Sequence, residues 1–338
     1  MTAIGDAELR TALESALAER FGKAAHVAAV ARRPCPYRTS FPLEELDVEL
    51  EGGERLRVML KDLSHGSLAP DAALAKPRSL HDPLREIRTY RELLAGAGLG
   101  TPEFYGESTD PATGRHWLFI ENVEGDVLWQ VGEVETWAAA ARWLAELHGR
   151  FAGAPAGAGF LLRYDRPLWR RWIDRAVAFA GDDGASGWTA EERERVLRLA
   201  SSYDEIVERL AALPQTFIHG EFYPSNVLVG PGSDPASRRI APIDWEIAAR
   251  GPGLLDLAAL TTGWDTSGAA AIESAYREGH DPHAQGSPFE EALAACRLHL
   301  AVQWLAWEPS WSPPAEHRRD WLAEAEREAR LLGISQIL

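Results

Sequence analysis

A chain of 338 residues, 46% hydrophobic and 25% charged, is long enough to bury one or two substantial cores, and two lobes are expected. Its formal net charge of −16 sets it against nucleic acid and anionic membrane surfaces, whose phosphates it would repel; a cationic partner is compatible with that charge but not required by it. The two cysteines, Cys35 and Cys296, lie far apart, which argues against a disulfide framework or a zinc site and fits a reducing cytoplasm.

The first 22 residues carry two acids within the first nine positions and a helical repeat, which is not the pattern of a signal peptide, and Asp6–Phe21 is expected to be an amphipathic helix. No apolar run approaches the roughly 20 residues that a membrane-spanning helix needs. Strands are expected over His26–Arg33, Leu43–Leu50 and Leu56–Leu63, the last two joined by the turn signal Glu51-Gly52-Gly53-Glu54. Asp82–Ala95 has proline in its first turn and apolar residues at Leu84, Ile87, Tyr90 and Leu94, and so predicts one helix. Strands at Phe104–Glu107 and His116–Glu121 complete an antiparallel first lobe. Beyond Gly125 the chain turns helical, with helices expected over Val134–Phe151, Arg166–Ala180 and Thr189–Leu213. A strand pair, Asn226–Gly230 and Arg239–Asp244, interrupts them before helices resume at Gly253. The lobe boundary falls at 122/123, dividing residues 1–122 from 123–338.

The most informative stretch is FIHGEFYPSNVLV, Phe217–Val229, followed by IAPIDWE, Ile240–Glu246. It sets Glu221 five residues ahead of Asn226, with Asp244 a short hairpin further on. A carboxylate, an amide and a second carboxylate in that order suit phosphoryl transfer from a Mg²⁺-bound nucleotide, one group orienting the attacking hydroxyl and two holding the metal.

These segments resemble the aminoglycoside-phosphotransferase family of small-molecule kinases, which shares its fold with choline kinases and protein kinases. IHGEFYPSNVLV is similar to the family's His-Gly-Asp-x-x-x-x-Asn loop, and PIDWE to its metal-binding Asp-aromatic-Glu. RGPGLLDLAAL resembles the helix start that follows. LFIENVEG and WLAELHGRF are similar to the inter-lobe hinge and the helix after it. The resemblance runs from about Val27 to Trp307. It implies an α+β, protein-kinase-like two-lobe fold. Residues 1–122 would be a nucleotide-binding lobe with an antiparallel sheet and one key helix. Residues 123–338 would be a mainly helical catalytic and substrate-binding lobe, with a β-hairpin carrying the catalytic residues.

The resemblance also assigns roles. Glu221 would orient or accept the proton of the acceptor hydroxyl, against the plainer reading of a loop acid after a strand. It stands where the family has aspartate, and its extra methylene moves the oxygens by roughly 1.5 Å. Either the pocket suits the longer arm, or the chain is a nucleotide-binding pseudokinase with little transferase activity. Asn226 and Asp244 would ligate Mg²⁺, and His219 would pin the loop by hydrogen bonding. Asp256 is either a loop anchor or a helix N-terminal acid.

Lys61, one of three lysines in the chain, would touch the nucleotide phosphates, oriented by Glu86 rather than by its rival Glu92. The loop between the first two strands has no glycine; Thr39 and Ser40 are its candidate phosphate contacts, with Arg38 beside them. The hinge at Glu121 and Val123 would present backbone groups to the base, with Val58 above it, which fits ATP and leaves GTP open. The second lobe holds all but one of the 13 tryptophans, Trp117 being the exception, and Trp169, Trp172, Trp304, Trp307 and Trp311 form either core or a substrate wall. Glu246, Asp265, Glu273 and Glu308 lie near them in sequence and are candidates to neutralise substrate amines. The acceptor is a small hydroxylated molecule: an aminoglycoside-like antibiotic, an amino-sugar or a choline-like metabolite. Oligomeric state is not readable.

Overall fold

A computed structural model describes residues 4–22, 25–37, 40–75, 77–153, 158–182, 187–279, 288–307 and 319–334. Arg38, Thr39, Glu308 and Trp311 lie outside them. In chain order the elements are α1 (Asp6–Phe21), β1 (Val27–Pro34), β2 (Leu43–Leu50), β3 (Arg55–Asp62), α2 (Pro70–Ala75), α3 (Pro83–Arg88), β4 (Phe104–Asp110), β5 (Arg115–Glu121) and β6 (Asp126–Val127). There follow α4 (Val134–Arg150), β7 (Leu162–Arg163), α5 (Arg166–Gly181), α6 (Ala190–Ser201), α7 (Tyr203–Ala211) and β8 (Gln215–Ile218). The chain ends with β9 (Val227–Val229), β10 (Ile240–Pro242), β11 (Ala249–Pro252), α8 (Leu254–Thr261), α9 (Thr266–Gly279), α10 (Phe289–Trp307) and α11 (Trp321–Leu331).

The residues form two compact units. The first contains Met1–Val127 together with Asn226–Ser233 and Arg238–Glu246; the second contains Leu128–Ser225, Asp234–Ser237 and Ile247–Leu338. The hairpin β9–β10 belongs to the first because β9 pairs with β6 to make a small sheet in the order β10-β9-β6.

The first unit is built on a five-stranded antiparallel sheet in the order β1-β2-β3-β5-β4. Alternation along a strand sends neighbouring side chains to opposite faces. Val58 and Leu60 of β3 therefore join Leu46, Val48 and Phe119 in a core closed by Leu9, Leu13 and Leu17 of α1. Lys61, one residue on, leaves the other face and is still buried. Helix α1 comes close at a bulge in β4, where Gly106 has φ +146° and a Cβ would lie 2.5 Å from the Ala16 carbonyl oxygen.

Two expected helices differ from the sequence pattern. The Asp82–Ala95 helix is α-helical only over α3, started by Asp82 accepting from the Leu84 N–H at 2.9 Å, and widens to a π-helix over Thr89–Leu94. The expected Thr189–Leu213 helix is broken into α6 and α7 at Ser202, where the Ser201 hydroxyl bonds back to the Arg198 carbonyl at 2.7 Å. The short strands β6, β7 and β11 were not anticipated: runs of two to four residues show no readable period.

The second unit packs around α10, which meets α5, α8 and α11. Its interior is aromatic. Trp169, Trp172, Trp304, Trp307 and Trp321 are all buried, and the Trp304 and Trp321 rings stack at 5.2 Å. These indoles are core. His299 lies among them, its Nδ1 2.6 Å from the Tyr203 hydroxyl and its ring edge-on to Trp169 at 4.6 Å. Burial pushes the imidazole down to about 3, so the folded state keeps it neutral where the unfolded chain would protonate it.

The depressed value fixes a sign. Between about pH 3 and about pH 6.5 the unfolded chain binds the extra proton, so stability is full above that window and falls as pH drops through it. Urea unfolding at pH 7 and pH 5 should show wild type losing roughly 2 kcal/mol more than His299→Gln on acidification. Equal losses would mean that His299 is not held neutral.

Candidate functional site

In the first unit, β3 and α3 bring opposite charges together in the interior. The Lys61 ammonium lies 2.7 Å from Glu86 Oε2 and is also paired with Asp244 Oδ1. Lys61 and Glu86 are 7% and 1% exposed, so solvent does little to screen them. Glu86 Oε1 accepts the Trp245 N–H at 3.2 Å. Glu92, the rival partner in the sequence, points elsewhere and binds Arg88 and Arg91.

Asp244 reaches the ammonium from the end of the hairpin with φ +66°, and it is the one non-glycine residue at positive φ among the described residues. That conformation disfavours L side chains other than Asp and Asn, and such strain gathers where geometry matters to function. β9–β10 pairing continues past the strands through the Ile243 N–H to the Asn226 carbonyl at 2.9 Å, so Asn226 and Asp244 sit at the same end of the hairpin. Glu246, two residues on, accepts from the Ser40 hydroxyl at 3.3 Å, and its carbonyl accepts from the buried Arg85 guanidinium at 2.7 Å.

Burial opposes charge on Lys61, but Asp244, Glu86 and Glu246 outweigh it and raise the ammonium above its ordinary range. The Glu86 carboxyl is also raised, by burial first, against the pull of Lys61, with Asp244 and Glu246 adding to the rise. Three carboxylates around one ammonium leave an excess of negative charge, which a divalent cation would offset. Among the described residues no three His, Cys, Asp or Glu side chains are gathered to hold a metal unaided. Mg²⁺ does not need that, since one or two protein oxygens plus substrate phosphates and water suffice, and this donor set fits it.

At the expected hinge, the Glu121 N–H is spent on the Glu103 carbonyl at 2.8 Å and the Asn122 N–H on the Arg57 carbonyl at 2.9 Å. The Val123 N–H has no protein acceptor among the described residues. The Glu121 carboxylate is held by Arg239, both oxygens at 2.6 Å.

Glu221 lies in the second unit, buried in the loop after β8. Asp256, in the first turn of α8, accepts the N–H groups of His219 at 2.7 Å and Gly220 at 2.9 Å. Asp256 is thus a loop anchor as well as a helix-start acid. His219 Nδ1 accepts the Glu221 N–H at 3.3 Å, and the Tyr223 N–H donates to the Glu221 carbonyl at 2.7 Å. Gly220 has φ +86°, and a Cβ there would lie 2.6 Å from the Ile247 carbonyl oxygen, so the loop requires glycine. Burial raises the phenols of Tyr164 and Tyr223, and for both the Glu221 carboxylate is the next cause.

Behind the loop, His148 Nε2 lies 3.2 Å from Asp256 and its Nδ1 3.0 Å from the Tyr276 hydroxyl. His148, Tyr276, Arg85 and Arg239 were missed from the sequence, since each acts on a distant partner and none carries a local pattern. Two acids proposed for substrate amines have other tasks: Asp265 accepts the Gly268 N–H at 2.8 Å, and Glu273 pairs with Arg297.

Asn in place of Asp256 has one acceptor oxygen for two loop N–H groups. Asp256→Asn should lower stability by about 2–3 kcal/mol and speed amide hydrogen exchange at His219 and Gly220 above all other sites. A variant as stable as wild type, with unchanged exchange there, would show that the loop is held by other means.

A search of curated proteins returns no match. Among solved structures, the microcompartment-associated aminopropanol kinase superposes with a TM-score of 0.59 at 17% identity, over 91% of this chain and 94% of that one. The choline kinase of Streptococcus pneumoniae gives 0.58 at 13% identity, over 95% and 99%. A GDP complex of aminoglycoside 2′-phosphotransferase IIIa gives 0.57 at 13% identity, over 95% of both chains. These likenesses establish the α+β, two-lobe kinase-like fold. The model of the APH phosphotransferase enzyme family matches residues 46–293. The chain belongs to that family and is a small-molecule kinase.

Proposed function

We propose that the chain transfers the γ-phosphoryl group of ATP to a hydroxyl of a small molecule. The observation that carries the proposal is the buried Lys61 ammonium between Glu86 and Asp244, with Asp244 in a left-handed conformation. In this reading residues 1–122 form the nucleotide lobe and 123–338 the catalytic and acceptor lobe. Lys61, fixed by Glu86, would bind the nucleotide phosphates, and Ser40 would contribute its hydroxyl. The base would meet the backbone at Glu121 and Val123; since the Glu121 N–H is already used, Glu121 would offer its carbonyl and Val123 its N–H. Backbone recognition of this kind suits ATP and would also admit GTP.

Asn226 and Asp244 would hold Mg²⁺, which when bound supplies positive charge to the triphosphate. Glu221 would receive the acceptor hydroxyl and orient its proton, in the place of the family's aspartate. His219 would act through the loop backbone. The acceptor falls in the class of aminoglycoside-like antibiotics, amino-sugars or choline-like metabolites, and the −16 net charge favours a cationic one. A cytoplasmic location fits such a substrate.

Wild type should gain several degrees in Tm with saturating MgATP. Asp244→Asn keeps a residue that tolerates the left-handed backbone and should lose the Mg²⁺-dependent part of that gain. With an acceptor found by screening hydroxylated amines and antibiotics for ATP-dependent gain of one phosphoryl group, Glu221→Gln should lower kcat by about 10²–10⁴-fold with nucleotide binding intact. Wild type that binds MgATP yet turns over no faster than Glu221→Gln or Asp244→Asn would make the chain a pseudokinase.

A further inference from the structure

Resting on the kinase reading above, we propose that Arg239 and Glu121 form a positioning pair. The pair fixes the base-binding end of β5 relative to the hairpin that carries Asn226 and Asp244. Arg239 immediately precedes β10 and is bonded through its carbonyl to the Gly230 N–H at 2.9 Å. Its guanidinium makes a two-pronged bond to Glu121, at 2.6 Å on each oxygen. Nε donates to the Gly100 carbonyl at 2.8 Å and Nη2 to the Thr101 carbonyl at 3.0 Å. One side chain thus ties together three stretches far apart in sequence: the hairpin, the end of β5, and the loop leading into β4.

The approach is close on every side. Gly100 has φ +75°, and a Cβ there would meet the Ile240 carbonyl oxygen at 3.2 Å. Glu121 holds the β4 entry as well, accepting the Glu103 N–H at 3.1 Å. A lone surface ion pair contributes little. This one is planar and bidentate, with both partners half-buried and two further donors used on backbone carbonyls, a geometry lysine cannot reproduce. Glu121 lies two residues before Val123, and Arg239 five before Asp244. Adenosine needs only the first end and the Mg²⁺-triphosphate only the second, so ATP alone must satisfy both at once. A fixed spacing between the ends therefore favours whole MgATP over its parts.

Calorimetric titration of Arg239→Ala, Arg239→Lys and Glu121→Gln with adenosine and with MgATP tests the pair. In each variant the Kd for MgATP should rise about tenfold, while in Arg239→Ala and Arg239→Lys that for adenosine moves less than about twofold, and the double variant Arg239→Ala/Glu121→Gln should bind MgATP no worse than Arg239→Ala. Arg239→Lys guards against simple misfolding of the alanine variant. Equal losses for both ligands, or no loss for either, with wild type binding normally, would overturn the pair and leave the kinase reading standing. Wild type unable to bind MgATP would overturn the kinase reading itself, and the pair with it.

Discussion

A single ammonium held in the protein interior among carboxylates organises the first unit. Lys61 is sent to its face of the sheet by strand alternation, because Leu60 beside it is needed by the core under α1. Once buried, the charge must be paired, and Glu86 and Asp244 do this from a helix and from a hairpin separated by much of the chain. The arrangement has more acid than base, and it is on this imbalance that the proposed binding of a divalent cation rests.

The second unit solves a different problem, that of holding a short irregular loop still. Asp256 collects two consecutive loop N–H groups, His148 stands behind Asp256, and Tyr276 behind His148. Asp256, His148 and Tyr276 are hydrogen-bonded one to the next, which offsets the cost of burying them. Trp304 of α10 meets Tyr223 of the loop at 5.4 Å between ring centroids, so the aromatic core of the unit packs directly against the loop.

The carboxylate–amide–carboxylate spacing was legible because its residues come from one loop and one hairpin. Lys61 stood out through the scarcity of lysine, and Glu86 through its place in the first turn of α3. The widening of the helix at Thr89–Leu94 was not legible: the apolar spacing at Ile87, Tyr90 and Leu94 suits either an α or a π turn. Nor was the break at Ser202, since the apolar repeat runs on from α6 into α7 across it. Pairs such as His148–Asp256, Glu121–Arg239 and His148–Tyr276 lie 108, 118 and 128 residues apart, beyond the reach of any local pattern.

The widened turn has a consequence for how this region tolerates change. The π turn is the last of the helix, closed by the Ala95 N–H on the Tyr90 carbonyl at 2.8 Å, and no α turn follows it. A residue gained or lost beyond Arg88 falls in this wide final turn, after Glu86, and so leaves the angle of that carboxylate toward the lysine unchanged.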